Sequence, residues 1–252
     1  MKSKRLRAFD RARLSELTGL IGVDEAGRGA LAGPVVASAV AVRKEFYDTE
    51  WCKRNASRIN DSKLLAPDER EYLYGKLRWL ESKNRLYIGV GWGDIGEIEN
   101  LNILGATQAA MRRAVESVFE SAEIEPHEPD PLFADVGSNG TGGSDYLSSW
   151  RIFVDGKPMK QLGYPHQAFV QGDSRSLCIA MASIIAKVTR DRTMMALDCQ
   201  YPKYDFASSK GYATPTHRSA IVEEGPSPVH RSLFLKKILE ANVEDLQSEF
   251  GF

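Results

Sequence analysis

The chain has 252 residues, 42% of them hydrophobic and 27% charged, with a formal net charge of -1, enough to bury the core of one large α/β domain or of a main domain with a small appendage. No apolar run approaches a membrane span, the basic N-terminus lacks the apolar segment of a secretory signal, and Cys52, Cys178 and Cys199 are odd in number without CxxC spacing; these features argue against a membrane protein, a disulfide framework or a cysteine zinc site, and a cytoplasmic location is expected. A balanced net charge does not point to nucleic acid, but it averages over local patches.

The first such patch comes at once. Residues 1–17 form a basic extension, in whose first thirteen residues Lys2, Lys4, Arg5, Arg7, Arg11 and Arg13 face only Asp10. Solvated charge on a frayed tail is the expectation, with a nucleic-acid arm as the alternative. A strand is predicted from Leu20 to Asp24, followed by Asp24-Glu25-Ala26-Gly27-Arg28-Gly29. A strand running through both acids would send their side chains to opposite faces, and Gly27 and Gly29 predict that it stops short, so that both can serve one ligand. Backbone N–H groups exposed at such glycines can read a hydroxyl or a phosphate oxygen. A dinucleotide fingerprint is the competing reading. It fails because the Val-rich 33–42 segment reads as a second strand instead of a helix, and no GK[ST] supports a phosphate-binding loop.

A loop then leads to Asn60-Asp61-Ser62-Lys63. Pro67, Asp68 and Glu69 predict a helix start, with the helix running to about Glu81. Residues 86–93 read as a strand and 102–119 as a long helix. Residues 121–149, rich in Pro, Gly, Ser and Asp, read as a surface insertion. Core structure resumes at 152–156, and a short strand over 167–171 ends at Gly172-Asp173. A helix is predicted from Ser174 to about Ala196, with Leu177, Met181, Ile184, Ile185 and Val188 on one buried face. Asp173, Ser176, Ala180, Ser183 and Lys187 line an adjoining face of small and polar groups. Helices over 216–224 and 229–240, carrying Arg218, Arg231, Lys236 and Lys237, complete a mixed sheet flanked by helices.

Asp24, Glu25, Asp155 and Asp173 each stand where an apolar run ends. Singly, Asp155-Gly156 suits a turn and Asp173 a helix cap. Jointly, they could meet at one sheet edge. Two carboxylates about 4 Å apart repel by roughly 4 kcal/mol at an effective dielectric near 20, so such a cluster needs cations or raised pKa values. All-oxygen ligands suit Mg²⁺ or Mn²⁺. His127, His166, His217 and His230 are scattered and read as surface, cap or core histidines.

On six ordered blocks, 21–40, 60–65 (NDSKLL), 153–156 (FVDG), 171–191, 210–217 (KGYATPTH) and 225–234 (GPSPVHRSLF), the chain resembles the type 2 ribonucleases H, and among them bacterial ribonuclease HII. The resemblance implies an α/β ribonuclease H-like mixed sheet over 18–200 and a C-terminal helical region over 201–252 completing the substrate cleft. It implies that Asp24, Glu25, Asp155 and Asp173 are catalytic and bind Mg²⁺ or Mn²⁺, two ions being expected with substrate. Gly27, Arg28, Gly29 and Tyr212 would recognise the 2′-OH of a ribonucleotide, the group that separates RNA from DNA, and Ser62, Lys63, Ser183 and Lys187 would contact phosphates. The implied activity is hydrolysis of the RNA strand of RNA–DNA hybrids and cutting 5′ of a single ribonucleotide in duplex DNA, leaving 3′-OH and 5′-phosphate ends. A non-cleaving hybrid-binding module and a DNA-directed nuclease of the same fold class are the alternatives. A monomer is expected, and the sequence names no protein partner. The insertion near 121–149 and the basic extension depart from the compact family pattern.

Overall fold

The computed structural model describes residues 3–59, 65–125 and 149–236. Helix α1 (Ser3–Arg11) opens the chain, and it is no frayed tail. Leu6 and Asp10 are buried, Phe9 packs edge-on against Phe169 at 5.2 Å, and Arg7 donates to the Tyr47 carbonyl. Leu6, Phe9 and Asp10 fall on one helical face, so a strongly basic segment still has a stripe that can dock.

Strands β1 (Gly19–Ala26) and β2 (Val35–Arg43) follow, then helices α2 (Glu50–Asn55) and α3 (Pro67–Glu81) and strand β3 (Tyr87–Gly93). Pro67 opens α3 at a position whose N–H would be orphaned in any case. Helix α4 (Ile95–Ala122) starts earlier than its sequence pattern predicts, because Asp94 and Glu97 form a capping box. At Asn102 the backbone turns non-helical, with φ 58°. There the Asn102 side chain accepts from Leu104 N at 2.9 Å. The predicted start at 102 is thus the cap of the second helical segment.

After strands β4 (Trp150–Asp155) and β5 (His166–Phe169), helix α5 (Leu177–Gln200) crosses the sheet, the short α6 (Phe206–Ser209) and α7 (Pro215–Glu224) follow, and residues 232–236, within the helix predicted over 229–240, are helical. Ser176, not Asp173, caps α5 by accepting from Ile179 N. Residues 229–231 are not helical; His230 instead bridges to Ala32. No helix among the described residues is long and apolar enough to cross a membrane.

The sheet order is β3-β2-β1-β4-β5, with β1–β2 and β2–β3 antiparallel and β1–β4 and β4–β5 parallel. Alternation along the strands fills two cores. Leu20, Val40 and Phe153 pack with α5, whereas Ile21, Val23, Ala39 and Val154 pack with α4. Gly22 lets α5 come close, since a Cβ there would lie 2.2 Å from the Cys178 carbonyl carbon. A smaller core of Leu31, Ala32, Met194, Tyr204, Phe206 and Ile221 joins the C-terminal elements to the segment after the glycine-rich turn.

Candidate metal centre and substrate cleft

Strand period decides which acids meet. Asp24 shares a face with Leu20 and Gly22, and Asp155 with Phe153, so both point to the α5 side. Val23 lies opposite Val154 in the parallel pair, which sets Asp24 and Asp155 side by side. Asp173 arrives from the tight turn Gly172–Ser174 just before α5. One carboxylate oxygen from each of Asp24, Asp155 and Asp173 lies within 4.8 Å of the others.

Glu25 behaves differently. Strand pairing continues through Glu25–Ala37 and Ala26–Val36, so the expectation that the glycines end the strand before the acids is wrong. Backbone hydrogen bonding to β2 outlasts the apolar pattern and carries the strand past both acids. The Glu25 carboxylate takes the Arg28 guanidinium at 3.0 Å, with 12% of the side chain exposed.

The aspartates are held firmly. Asp24, 4% exposed, accepts from Glu25 N at 2.7 Å and from the Ser183 hydroxyl. Asp155 accepts from Gly172 N at 2.6 Å. Burial drives the Asp24 pKa well above the usual carboxylate range, and the charges of Glu25 and Asp155 push the same way. Closely spaced hard oxygens that repel one another fit a divalent cation site, and no histidine or cysteine joins the group among the described residues.

Beside this cluster lies a cavity of about 430 Å³, lined by Glu25, Gly27, Arg28 and Gly29 from the turn, Ser183 and Lys187 from α5, and Tyr212. The structure therefore brings together every predicted substrate residue that it describes. Ser62 and Lys63 lie outside the described residues, as does most of the 121–149 insertion. Lys187 is already engaged by Asp191, which also faces Arg70 at 3.6 Å, and burial lowers its pKa.

Two residues that the sequence reading missed build the cleft wall. Arg190 and Arg231 are fully buried, yet their partners are carbonyls. Arg190 donates to Pro34 O (2.9 Å), Lys210 O (2.8 Å) and Ala32 O (3.0 Å). Arg231 donates to Gly33 O (2.7 and 2.9 Å), Ala30 O (2.9 Å) and Arg28 O (3.1 Å). Gly27, at φ +97°, has no room for a side chain, because a Cβ would sit 2.0 Å from Arg190 Nε. Burial and the neighbouring Arg190 push the Arg231 pKa down to about 9. The sequence carried a signal for Arg190, since the stripe Ser183, Lys187 continues to it at the next helical step. Arg231 had none.

The family described as ribonuclease HII matches residues 21–138 and 144–237. Over 231 residues the chain is 42% identical to ribonuclease HII of Fusobacterium nucleatum, covering 91% of each protein. It is 40% identical over 221 residues to that of Caldanaerobacter subterraneus, covering 88% of this chain and 76% of the relative. The crystal structure of ribonuclease H2 from Pyrococcus horikoshii OT3 superposes with a TM-score of 0.55 at 25% identity, covering 88% of this chain and 98% of that one.

Proposed function

Because the chain belongs to the ribonuclease HII family, a family of metal-dependent endonucleases, we propose that it cleaves RNA in RNA–DNA hybrids and cuts 5′ of a single ribonucleotide in duplex DNA. In this reading Asp24, Asp155 and Asp173, joined by Glu25, hold Mg²⁺ or Mn²⁺. Divalent cations there supply activation of a water and neutralisation of charge at the scissile phosphate. The carrying observation is that Asp24 sits in the aspartate cluster while its neighbour Glu25 lines the cavity shared by the glycine turn and Tyr212.

The protein's own residues divide the remaining work. The Ser183 hydroxyl orients the Asp24 carboxylate, so its use as a phosphate contact is shared with that duty. Lys187 offers positive charge at the cavity wall. The backbone of Gly27-Arg28-Gly29 and the Tyr212 phenol face the ribose, where a 2′-OH can both donate and accept. The nucleophile is water. A 2′-OH nucleophile would need an acid/base pair, commonly of histidines, and among the described residues no histidine lines this cavity. His166 is occupied by Met159 N and the Tyr164 carbonyl.

The test is a duplex with one embedded ribonucleotide, incubated with and without Mg²⁺ or Mn²⁺. Metal-dependent cuts with 3′-OH and 5′-phosphate ends are expected, with no cutting of an all-DNA duplex. Tyr212→Ala is expected to lose activity on this substrate. Cyclic phosphate ends, equal cutting of DNA, or binding without cleavage would each overturn the assignment.

A further inference from the structure

Behind Tyr212, outside the cavity, two imidazoles meet in the protein interior. His217, from the first turn of α7, and His230 have their Nε2 atoms 3.0 Å apart, and both side chains are buried. Such a contact needs one donor and one acceptor, and the far ends of the two rings decide which is which. The Ser227 backbone N–H, which can only donate, reaches His230 Nδ1 at 3.0 Å, with the Ser227 hydroxyl at 2.8 Å. His230 Nδ1 therefore carries no proton, and its Nε2 does. The Tyr212 carbonyl, which can only accept, lies 2.8 Å from His217 Nδ1. His217 Nδ1 is therefore protonated and its Nε2 is bare. Read from either end, the same one-way chain results: Ser227 N–H to His230, His230 to His217, His217 to the Tyr212 carbonyl.

We propose that this tautomer-locked histidine relay is a positioning device that holds Tyr212 in register with the glycine-rich turn, and so sets the ribose-sensing geometry of the cleft. It rests on the reading of Tyr212 given above. The relay ends at the Tyr212 carbonyl and begins at the segment whose next residue, Arg231, grips the carbonyls of Arg28, Ala30 and Gly33. Both contacts of the cleft wall thus hang from one stretch of backbone, 227–231. A direct bond from Leu31 N to the Gly211 carbonyl at 2.8 Å closes the loop. Neither imidazole has room for a second proton. Added to His217 Nε2, it would set two N–H groups head-on; added to His230 Nδ1, it would expel the Ser227 donors. Burial favours the neutral rings too, lowering the pKa of His217 and taking that of His230 to about 4. The groups facing the pair are Tyr204 and Phe206, which pack on the rings, and Asp205, whose charge favours a proton on His217 without reversing the shift.

The first measurement uses the unmodified protein. Nitrogen-15 NMR of the imidazoles at neutral pH, with the two rings assigned by His217→Gln and His230→Gln, should show His217 protonated at Nδ1 and His230 at Nε2. Nε2–H tautomers on both His217 and His230, or a charge on either ring, would overturn the relay. The second compares kinetics on the single-ribonucleotide duplex. His230→Phe keeps ring volume but cannot donate, and it should lower kcat by about 10- to 100-fold with KM little changed, the size expected of a displaced contact in a reacting complex. His230→Gln, whose amide can donate to His217, should recover part of the loss. In a Tyr212→Ala background, His230→Phe should have almost no further effect. Independent, multiplicative losses would overturn the positioning role, as would full activity of His230→Phe. Full activity of Tyr212→Ala alone would sink both the reading of Tyr212 and the relay's function, while leaving the NMR pattern in place; a failed NMR pattern with an inactive Tyr212→Ala would sink the relay alone.

Discussion

The two walls of the cleft are built on opposite electrostatic terms. On one, Asp24, Asp155 and Asp173 bring carboxylate oxygens within 4.8 Å of one another, an arrangement that repels itself. On the other, the buried cations Arg190 and Arg231 meet carbonyl oxygens of the glycine-rich turn and of Lys210. The carbonyl dipoles satisfy the guanidinium donors without neutralising them. The contrast separates two jobs. The acid wall is completed by what binds to it, whereas the arginine wall is finished by folding, which is the arrangement wanted for a surface that must recognise a single hydroxyl.

The sharpest way to break this comparison is to disarm one acid. Asp24→Asn removes one charge and changes little in shape. Loss of a cation's contribution of several kcal/mol corresponds to about a 10³-fold fall in cleavage. Binding of the duplex, followed by fluorescence anisotropy, should persist. Adding Mg²⁺ or Mn²⁺ should raise the Tm of the unmodified protein and raise that of Asp24→Asn less. An equal metal-induced shift in both would show that the acid wall is not what the ion completes.

The arginine wall should fail through stability instead. Lysine in place of Arg231 keeps a charge but presents a single ammonium where the guanidinium spans the carbonyls of Arg28, Ala30 and Gly33. With buried carbonyls left unpaired, Arg231→Lys should lower stability by about 2–3 kcal/mol, read from the urea midpoint at constant slope, and added metal should not restore it. A variant with the same midpoint as the parent protein would mean that the clamp is incidental to the turn.

The sequence made the acid wall legible for a physical reason. Asp24, Asp155 and Asp173 each end an apolar run, and strands place such ends together. The end of β1 was misjudged because glycine downstream was read as the end of the strand, although pairing with β2 runs on to Ala26. The arginine wall was hidden by a rule that is right on average. Charged side chains are rarely buried without an acid, and nothing in VTRD or VHRS signals that backbone carbonyls will serve as partners. For α1 the high basic content outweighed the spacing of Leu6, Phe9 and Asp10, which was visible and would have predicted a docked helix. The histidines were read as core, cap or surface residues; His217 and His230 are indeed core, but no sequence pattern reveals that they face each other.

A third buried carboxylate sharpens the comparison, because it has the burial of Asp24 without the neighbouring acids. Asp10 accepts from the Tyr47 hydroxyl and from Cys178 N, each at 3.0 Å, and pins α1 to the start of α5. Burial raises its pKa to about 6, against the lowering effect of these bonds and of the Ser176 hydroxyl. The folded value lies above the unfolded one of about 3.9, so folding favours the protonated acid. Its contribution to stability is therefore present below about pH 4 and is lost as pH rises through about 6. Asp10→Asn, which cannot ionise, should match the parent protein near pH 4 and exceed it at pH 8 by about 1–3 kcal/mol in urea unfolding. Because Asp10 accepts these bonds through one oxygen, the amide can keep both. Mg²⁺ should leave this difference unchanged, as a lone buried acid gives a cation nothing to bridge. Parallel pH profiles for the two proteins would show that folding leaves the Asp10 pKa unshifted, and a metal-dependent gap would tie it to the acid wall from which its geometry separates it.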